Sequence, residues 1–90
     1  MTETAEARLK RMRMRSWRRG TKEMDLVLGP WADLHLPGLS VDRLDLYDRL
    51  LEENDQDLMA WILGQAQAPA ELDAFLAEIA DFARDRLRNG

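Results

Sequence analysis

Ninety residues carrying a formal net charge of −4, 46% hydrophobic and 33% charged, describe one small globular domain rather than a disordered tail. The chain has no cysteine, which excludes disulfides, thiol catalysis, zinc ribbons and iron–sulfur ligation, and its one histidine, His35, leaves catalytic triads and histidine-rich metal sites without partners. No apolar run approaches the ~20 residues of a membrane span, and the N-terminus lacks the apolar core of a secretory signal, so the chain reads as soluble, intracellular and not membrane-inserted.

Helical periodicity dominates, and no segment alternates with period two. The first helix runs from Glu3 to about Arg18, with residues 1–7 as its frayed end. Ala5, Leu9 and Met12 form one stripe of it, and Met14 and Trp17 the adjoining face. It is also the basic pole of the chain. Residues 8–22 hold eight Lys or Arg and no acid, whereas residues 23–83 hold fourteen acids against Arg43 and Arg49. Arg8, Arg11, Arg15 and Arg18 are spaced to make one cationic ridge. Three readings of that ridge stand: a phosphate-tracking element, a surface for docking a protein, or a solvated face that pairs with the acidic remainder. Trp17, crowded by Arg15, Arg18, Arg19 and Lys22, is expected partly exposed, stacked under a guanidinium or against a partner.

Arg19-Gly20-Thr21-Lys22-Glu23 marks the junction between the two poles. If a helix runs through it, Arg19 and Glu23 share a face, and Gly20 lets a partner approach the main chain. The second helix carries Met24, Val27, Leu28, Trp31 and Leu34 on one stripe, with a kink or break at Gly29-Pro30 and a firmer stop at Leu36-Pro37-Gly38. His35 reads as a loop or helix-end residue. Ser40 is a good N-cap for a third helix through Val41, Leu44, Tyr47, Leu50 and Leu51, with Asp42 favouring the dipole. Leu58, Met59, Trp61, Ile62 and Leu63 form a short fourth helix that stops at Gly64. Being apolar nearly all round, it is expected to be the most central element, with Asp55 and Asp57 capping it. Pro69 opens the fifth, where Leu72, Phe75, Leu76, Ile79, Phe82 or Ala83, and Leu87 make the cleanest stripe, and Asn89-Gly90 ends it. The sum is an all-α bundle of about five short helices in a single domain spanning 1–90. Trp31, Tyr47, Trp61, Phe75 and Phe82 are its expected aromatic core.

Catalytic templates fail on these residues. There is no strand to carry a Gly-rich phosphate loop. The carboxylate pairs Glu52/Glu53 and Asp55/Asp57 have no accompanying nucleophile or base. The acidic run 52–57 lacks the central glycine and final glutamate of a calcium loop. No catalytic or metal-binding residue is therefore assigned, and the chain is not expected to be an enzyme.

Two motifs in order carry a resemblance. Arg18-Arg19-Gly20-Thr21-Lys22-Glu23-Met24-Asp25 contains R-G-x-x-E followed by an apolar residue and Asp. Arg49-Leu50-Leu51-Glu52 with Asp55-Gln56-Asp57-Leu58-Met59-Ala60-Trp61 is similar to L-L-E … D-x-D-L-x-x-W. Over roughly residues 8–88 the chain resembles the FAD assembly (flavinylation) factors of succinate dehydrogenase, the bacterial SdhE type and their mitochondrial relatives. Gln56 departs from the proline of many relatives, which implies a looser start to the fourth helix. The resemblance implies a factor that binds the flavoprotein subunit of succinate dehydrogenase, or of the related fumarate reductase, and promotes covalent attachment of FAD to a histidine there. Gly20 would allow close backbone contact, Arg19 and Glu23 would make charged contacts, and Arg18, Lys22, Asp25 and Trp17 would contribute at the flanks. FAD would belong to the partner, with none bound tightly by this chain, and no nucleic acid would be needed. The alternative is a small nucleic-acid-binding regulator using the Arg8–Lys22 ridge. With no long presequence ahead of the arginines, a bacterial cytoplasmic member is expected.

Overall fold

The computed structural model describes residues 3–89, with side chains to Arg86. Five α-helices follow in order: α1 (Ala5–Trp17), α2 (Lys22–His35), α3 (Val41–Leu50), α4 (Asp55–Ile62) and α5 (Ala70–Asn89), with a single 3₁₀ turn at Leu36–Gly38 between α2 and α3. No strand occurs among the described residues. Helical order begins at Ala5, inside the stretch expected to fray.

Polar side chains define where the helices start. Thr4, Thr21, Ser40 and Asn54 each accept a hydrogen bond from the backbone N–H three residues on, at 3.0, 3.2, 3.3 and 2.8 Å. Each such cap satisfies an orphan donor and contributes about 1 kcal/mol. Asn54 therefore caps α4, and its start is held without the family's proline. At the other end of α4, Gly64 takes φ +75°. Gln65 N–H then bonds Ala60 O at 2.8 Å and Gly64 N–H bonds Trp61 O at 3.2 Å, the two-bond glycine stop of a Schellman motif.

Of the kink or break expected at Gly29-Pro30, the break does not occur: α2 is continuous through it. A proline disfavours helical geometry in its predecessor through a clash with that residue's Cβ. Glycine has no Cβ, so Gly29 removes that part of the clash; the missing N–H and the crowding of the ring against the preceding turn are carried by the rest of the helix.

The core lies between α2, α3 and α5. Met24, Leu28, Trp31, Tyr47, Leu50, Leu51, Leu58, Leu72, Phe75, Leu76 and Ile79 are buried, with Met12 from α1. Trp31 lies 5.1 Å from Tyr47 and 5.2 Å from Phe75, ring centre to ring centre. His35, the last residue of α2, packs on Trp31 and edge-on to Phe82. The expectation that α4 is most central fails. Only Leu58 of that helix is buried, Trp61 is half-buried and Leu63 is exposed. The six apolar residues Leu58–Leu63 read as the heart of a core helix, but Met59 and Ala60 line a groove instead. Leu34 is likewise 65% exposed although it sits in register with the α2 core stripe. The Leu87 side chain and Gly90 lie outside the described residues.

Ser16, absent from every expected core, is fully buried. Its hydroxyl donates to Met12 O at 2.8 Å and lies 2.6 Å from the Tyr47 hydroxyl. Since Ser16 spends its one proton on Met12, Tyr47 is the donor between them. Burial pushes the Tyr47 phenol up to about 12.

The charge division closes on itself. Arg8 meets Asp45 at 2.6 Å, Arg11 meets Asp48 at 2.8 Å, Arg15 meets Glu52 at 3.0 Å and Arg19 meets Asp55 at 2.7 Å. The sequence offsets are 37, 37, 37 and 36, so the basic row and the acidic row run in the same direction. On the opposite flank Arg43 pairs with Glu78 and Arg49 with Glu71, a descending register that sets α3 antiparallel to α5. Of the three readings of the ridge, pairing with the acidic remainder describes its inner row.

Candidate functional site: the Arg19–Glu23 junction

Residues 18–21 connect α1 to α2, and Arg19 turns inward from this link. Its Nε donates to Asp55 Oδ1 at 2.7 Å, Nη1 to Leu51 O at 2.8 Å and Nη2 to Glu53 O at 2.6 Å. The two carbonyls lie at and just beyond the C-terminal end of α3, where a cation is favoured by the helix dipole and by unsatisfied acceptors. The Arg19 side chain is only 9% exposed and Asp55 only 14%. Arg19 was expected to meet a partner, but its guanidinium is consumed inside the monomer. Nor does it share a helix face with Glu23, because the helix begins only at Lys22.

Asp55 does two jobs at once. Its second oxygen, Oδ2, accepts from Gly20 N–H at 2.6 Å. Asp25 Oδ1 accepts from Arg19 N–H at 2.5 Å. Two carboxylates from different helices thus hold successive amides of the link, and the guanidinium ties the same carboxylate to α3. A Cβ placed on Gly20 would stand 3.0 Å from Asp55 Oδ2. Close approach of that carboxylate is one reason for glycine here. Asp25 was expected at the flank of a partner surface, yet it points into the link. Asp55 was expected to serve as a helix cap and is instead the centre of the arrangement.

The outward side of the junction is left open. Gly20, Thr21, Lys22 and Glu23 are exposed. Among the described residues, Glu23 has no ion-pair partner within 4 Å and its carboxylate accepts no hydrogen bond. Beside it lies a groove of about 390 Å³ with Met59 and Ala60 in its floor and Thr21, Glu23, Gln56 and Gln65 around it. This is where the half-buried side of α4 goes. Arg18 is exposed as well. Trp17 is 38% exposed, as expected, but among the described residues it stacks on no guanidinium. It packs over Gly29 and donates from Nε1 to Asp33 Oδ2 at 3.1 Å.

Further along the row, the Arg11 guanidinium holds the Asp48 carboxyl below its ordinary range, chiefly by direct hydrogen bonding. Among the described residues no cluster of His or carboxylates could hold a metal ion, and no helix is long and apolar enough to cross a membrane. The arrangement is a rigid loop offering a bare main chain, a free carboxylate and an apolar groove.

A family model described as "Flavinator of succinate dehydrogenase" matches residues 10–83. Three similar curated proteins carry the name "Succinate dehydrogenase assembly factor 2, mitochondrial". The one from Schizosaccharomyces pombe is 39% identical over 67 residues, covering 74% of this chain and 48% of its own length. That from Meyerozyma guilliermondii is 44% identical, covering 66% of this chain and 44% of its own length. That from Dictyostelium discoideum is 38% identical, covering 71% and 45%. The chain spans about half the length of the curated relatives it matches. The expectation of a bacterial cytoplasmic protein is overturned: these relatives are named mitochondrial and come from eukaryotes. That expectation rested on what precedes the arginines, and a chain spanning half its relatives carries no information on the point.

Proposed function

The chain belongs to the succinate dehydrogenase flavinator family, and from that premise we propose that it docks on the flavoprotein subunit of succinate dehydrogenase, or of the related fumarate reductase, and promotes covalent attachment of FAD to a histidine there. One observation carries this reading. The exposed Gly20–Glu23 surface rests on a backbone pinned from beneath by Asp25, Asp55 and Arg19. A surface already ordered loses little conformational freedom on binding, so more of its contact energy appears as affinity.

In this proposal Glu23 supplies the directional charged contact and Gly20 the close main-chain approach, with Arg18 and Lys22 at the flanks. Arg19, Asp25 and Asp55 are positioning residues. The groove beside Glu23 receives an apolar side chain of the partner. Bond formation belongs to the flavin and its target histidine, and FAD remains the partner's. The factor contributes orientation: docking selects a domain arrangement in which ring and histidine meet, and rate follows from that population shift. A nucleic-acid-binding regulator is the weaker reading, because Arg8, Arg11, Arg15 and Arg19 already face carboxylates of their own chain.

Glu23→Ala is the cleanest test, since Gly20→Arg would also displace Asp55. Wild-type protein should retain the purified flavoprotein subunit on a column. Glu23→Ala should retain about tenfold less, a loss of about 1.4 kcal/mol, with unchanged circular dichroism. Equal retention by both proteins would refute the assignment.

A further inference from the structure

The arginine-rich helix has two rows with different fates. The inner row is neutralised by α3 and its C-terminal flank. The outer face carries Lys10, Arg13, Met14 and Trp17 at three- to four-residue spacing, followed by Arg18. All five are exposed, and among the described residues none of the three cations has a carboxylate within 4 Å. The chain does not lack acids to place there, since residues 23–83 hold fourteen.

This outer face borders a second groove, of about 380 Å³, lined by Trp17, Pro30, Asp33, Leu34, Phe82 and Arg86. Its wall is built. Three carbons of the Trp17 ring lie 2.3–2.6 Å from where a Gly29 Cβ would be, so the indole lies face-on against a helix that has no side chain there. The hydrogen bond to Asp33 fixes its other edge. Leu34 stays 65% exposed at the groove although its register matches the core stripe of α2. Arg86 has no carboxylate partner among the described residues and lies 5.9 Å from the Phe82 ring centre. Asp33 is the one acid in the groove, and its carboxylate is engaged by Trp17.

We propose that the Trp17–Leu34 groove is a second docking point, separate from the Gly20 loop, for an acidic segment of the flavoprotein that inserts an apolar side chain. The inference rests on the function proposed above. Arg86 in the groove, with the unpartnered cations that share the outer face of α1 with Trp17, selects carboxylates, and the Trp17, Pro30, Leu34 and Phe82 part of the lining selects a side chain over a sugar–phosphate backbone. Leu34 and Trp17 would be the residues desolvated on binding.

The test titrates the purified flavoprotein subunit against wild type, Leu34→Asp, the double variant Arg13→Glu/Arg86→Glu, and Glu23→Ala, with circular dichroism confirming each fold. Leu34→Asp and the double variant should each bind about tenfold or more weakly. The wild-type affinity should fall from low to physiological salt, and that of the double variant should fall less. If wild type and Glu23→Ala differ but the groove variants bind like wild type, this proposal fails and the function stands. If wild type does not bind at all, both fail. Retention of a random oligonucleotide that the double variant abolishes would overturn the proposal in favour of nucleic acid. Self-association abolished by Leu34→Asp would overturn it in favour of a second copy.

Discussion

Asp55→Asn removes one negative charge while keeping the shape of the side chain, and it isolates the clamp under the junction. Asp55 accepts from Arg19 Nε at 2.7 Å and from Gly20 N–H at 2.6 Å. An amide can accept only one of these, and its NH₂ must face the other donor. Hydrogen bonds to charged groups contribute about 1.5–3 kcal/mol each, and breaking a buried pair costs about 3–5 kcal/mol. Arg19 keeps its bonds to the Leu51 and Glu53 carbonyls, and neither side chain of the pair is fully sealed, which lowers the figure. The expected loss is about 2–4 kcal/mol, a large share of what a domain this size holds. Urea unfolding followed by circular dichroism should show a lower midpoint with an unchanged slope. The melting temperature should drop by roughly 10–25 °C. Glu23→Gln, its exposed neighbour, should stay within about 0.5 kcal/mol of wild type. An Asp55→Asn protein as stable as wild type would refute the clamp.

Other outcomes follow from the same geometry. Gly29→Ala should destabilise by about 1–3 kcal/mol despite alanine's better helix propensity, because its methyl group occupies the Trp17 ring; Trp17→Ala should relieve that loss in the double mutant. The folded-state pKa of Tyr47, about 12, lies above its unfolded value near 10. Its contribution is therefore complete below about pH 10 and lost at about 1.4 kcal/mol per pH unit as pH rises through 10–12, a slope that Tyr47→Phe should abolish in alkaline urea melts. Asp48 is displaced the other way by Arg11, so its contribution is present above the unfolded carboxylate value near 4 and lost as pH falls below it. Asp48→Asn should flatten that acid limb.

Most of the helices are legible from a periodic apolar stripe, from a cap or stop, or from both. Ser40 and Gly64 are examples. Pro30 does not end α2: a proline's effect depends on its predecessor, and Gly29 has no Cβ to clash with the ring. Helix α4 misled because apolarity is local information and centrality is not. Which side of an eight-residue helix meets the core depends on the packing of α2 and α5. Composition exposed the charge division but not its register, which lay unread in the 36- and 37-residue offsets between the arginines and their carboxylates. Arg19 stands out in the sequence, but its guanidinium turns inward rather than toward a partner. A motif names a residue without its direction, and the distance from Arg19 Nε to Asp55 supplies it. The free carboxylate of Glu23 is what remains outward.

In the function proposed here, this chain drives covalent flavin onto the succinate dehydrogenase flavoprotein through its Gly20–Glu23 surface. In-gel flavin fluorescence of that subunit reads it directly, in cells lacking the gene and in the same cells given wild type, Glu23→Ala or Asp55→Asn. Strong fluorescence with wild type and little with no gene or with Glu23→Ala is the predicted result. Equal fluorescence in all of these cells would contradict it.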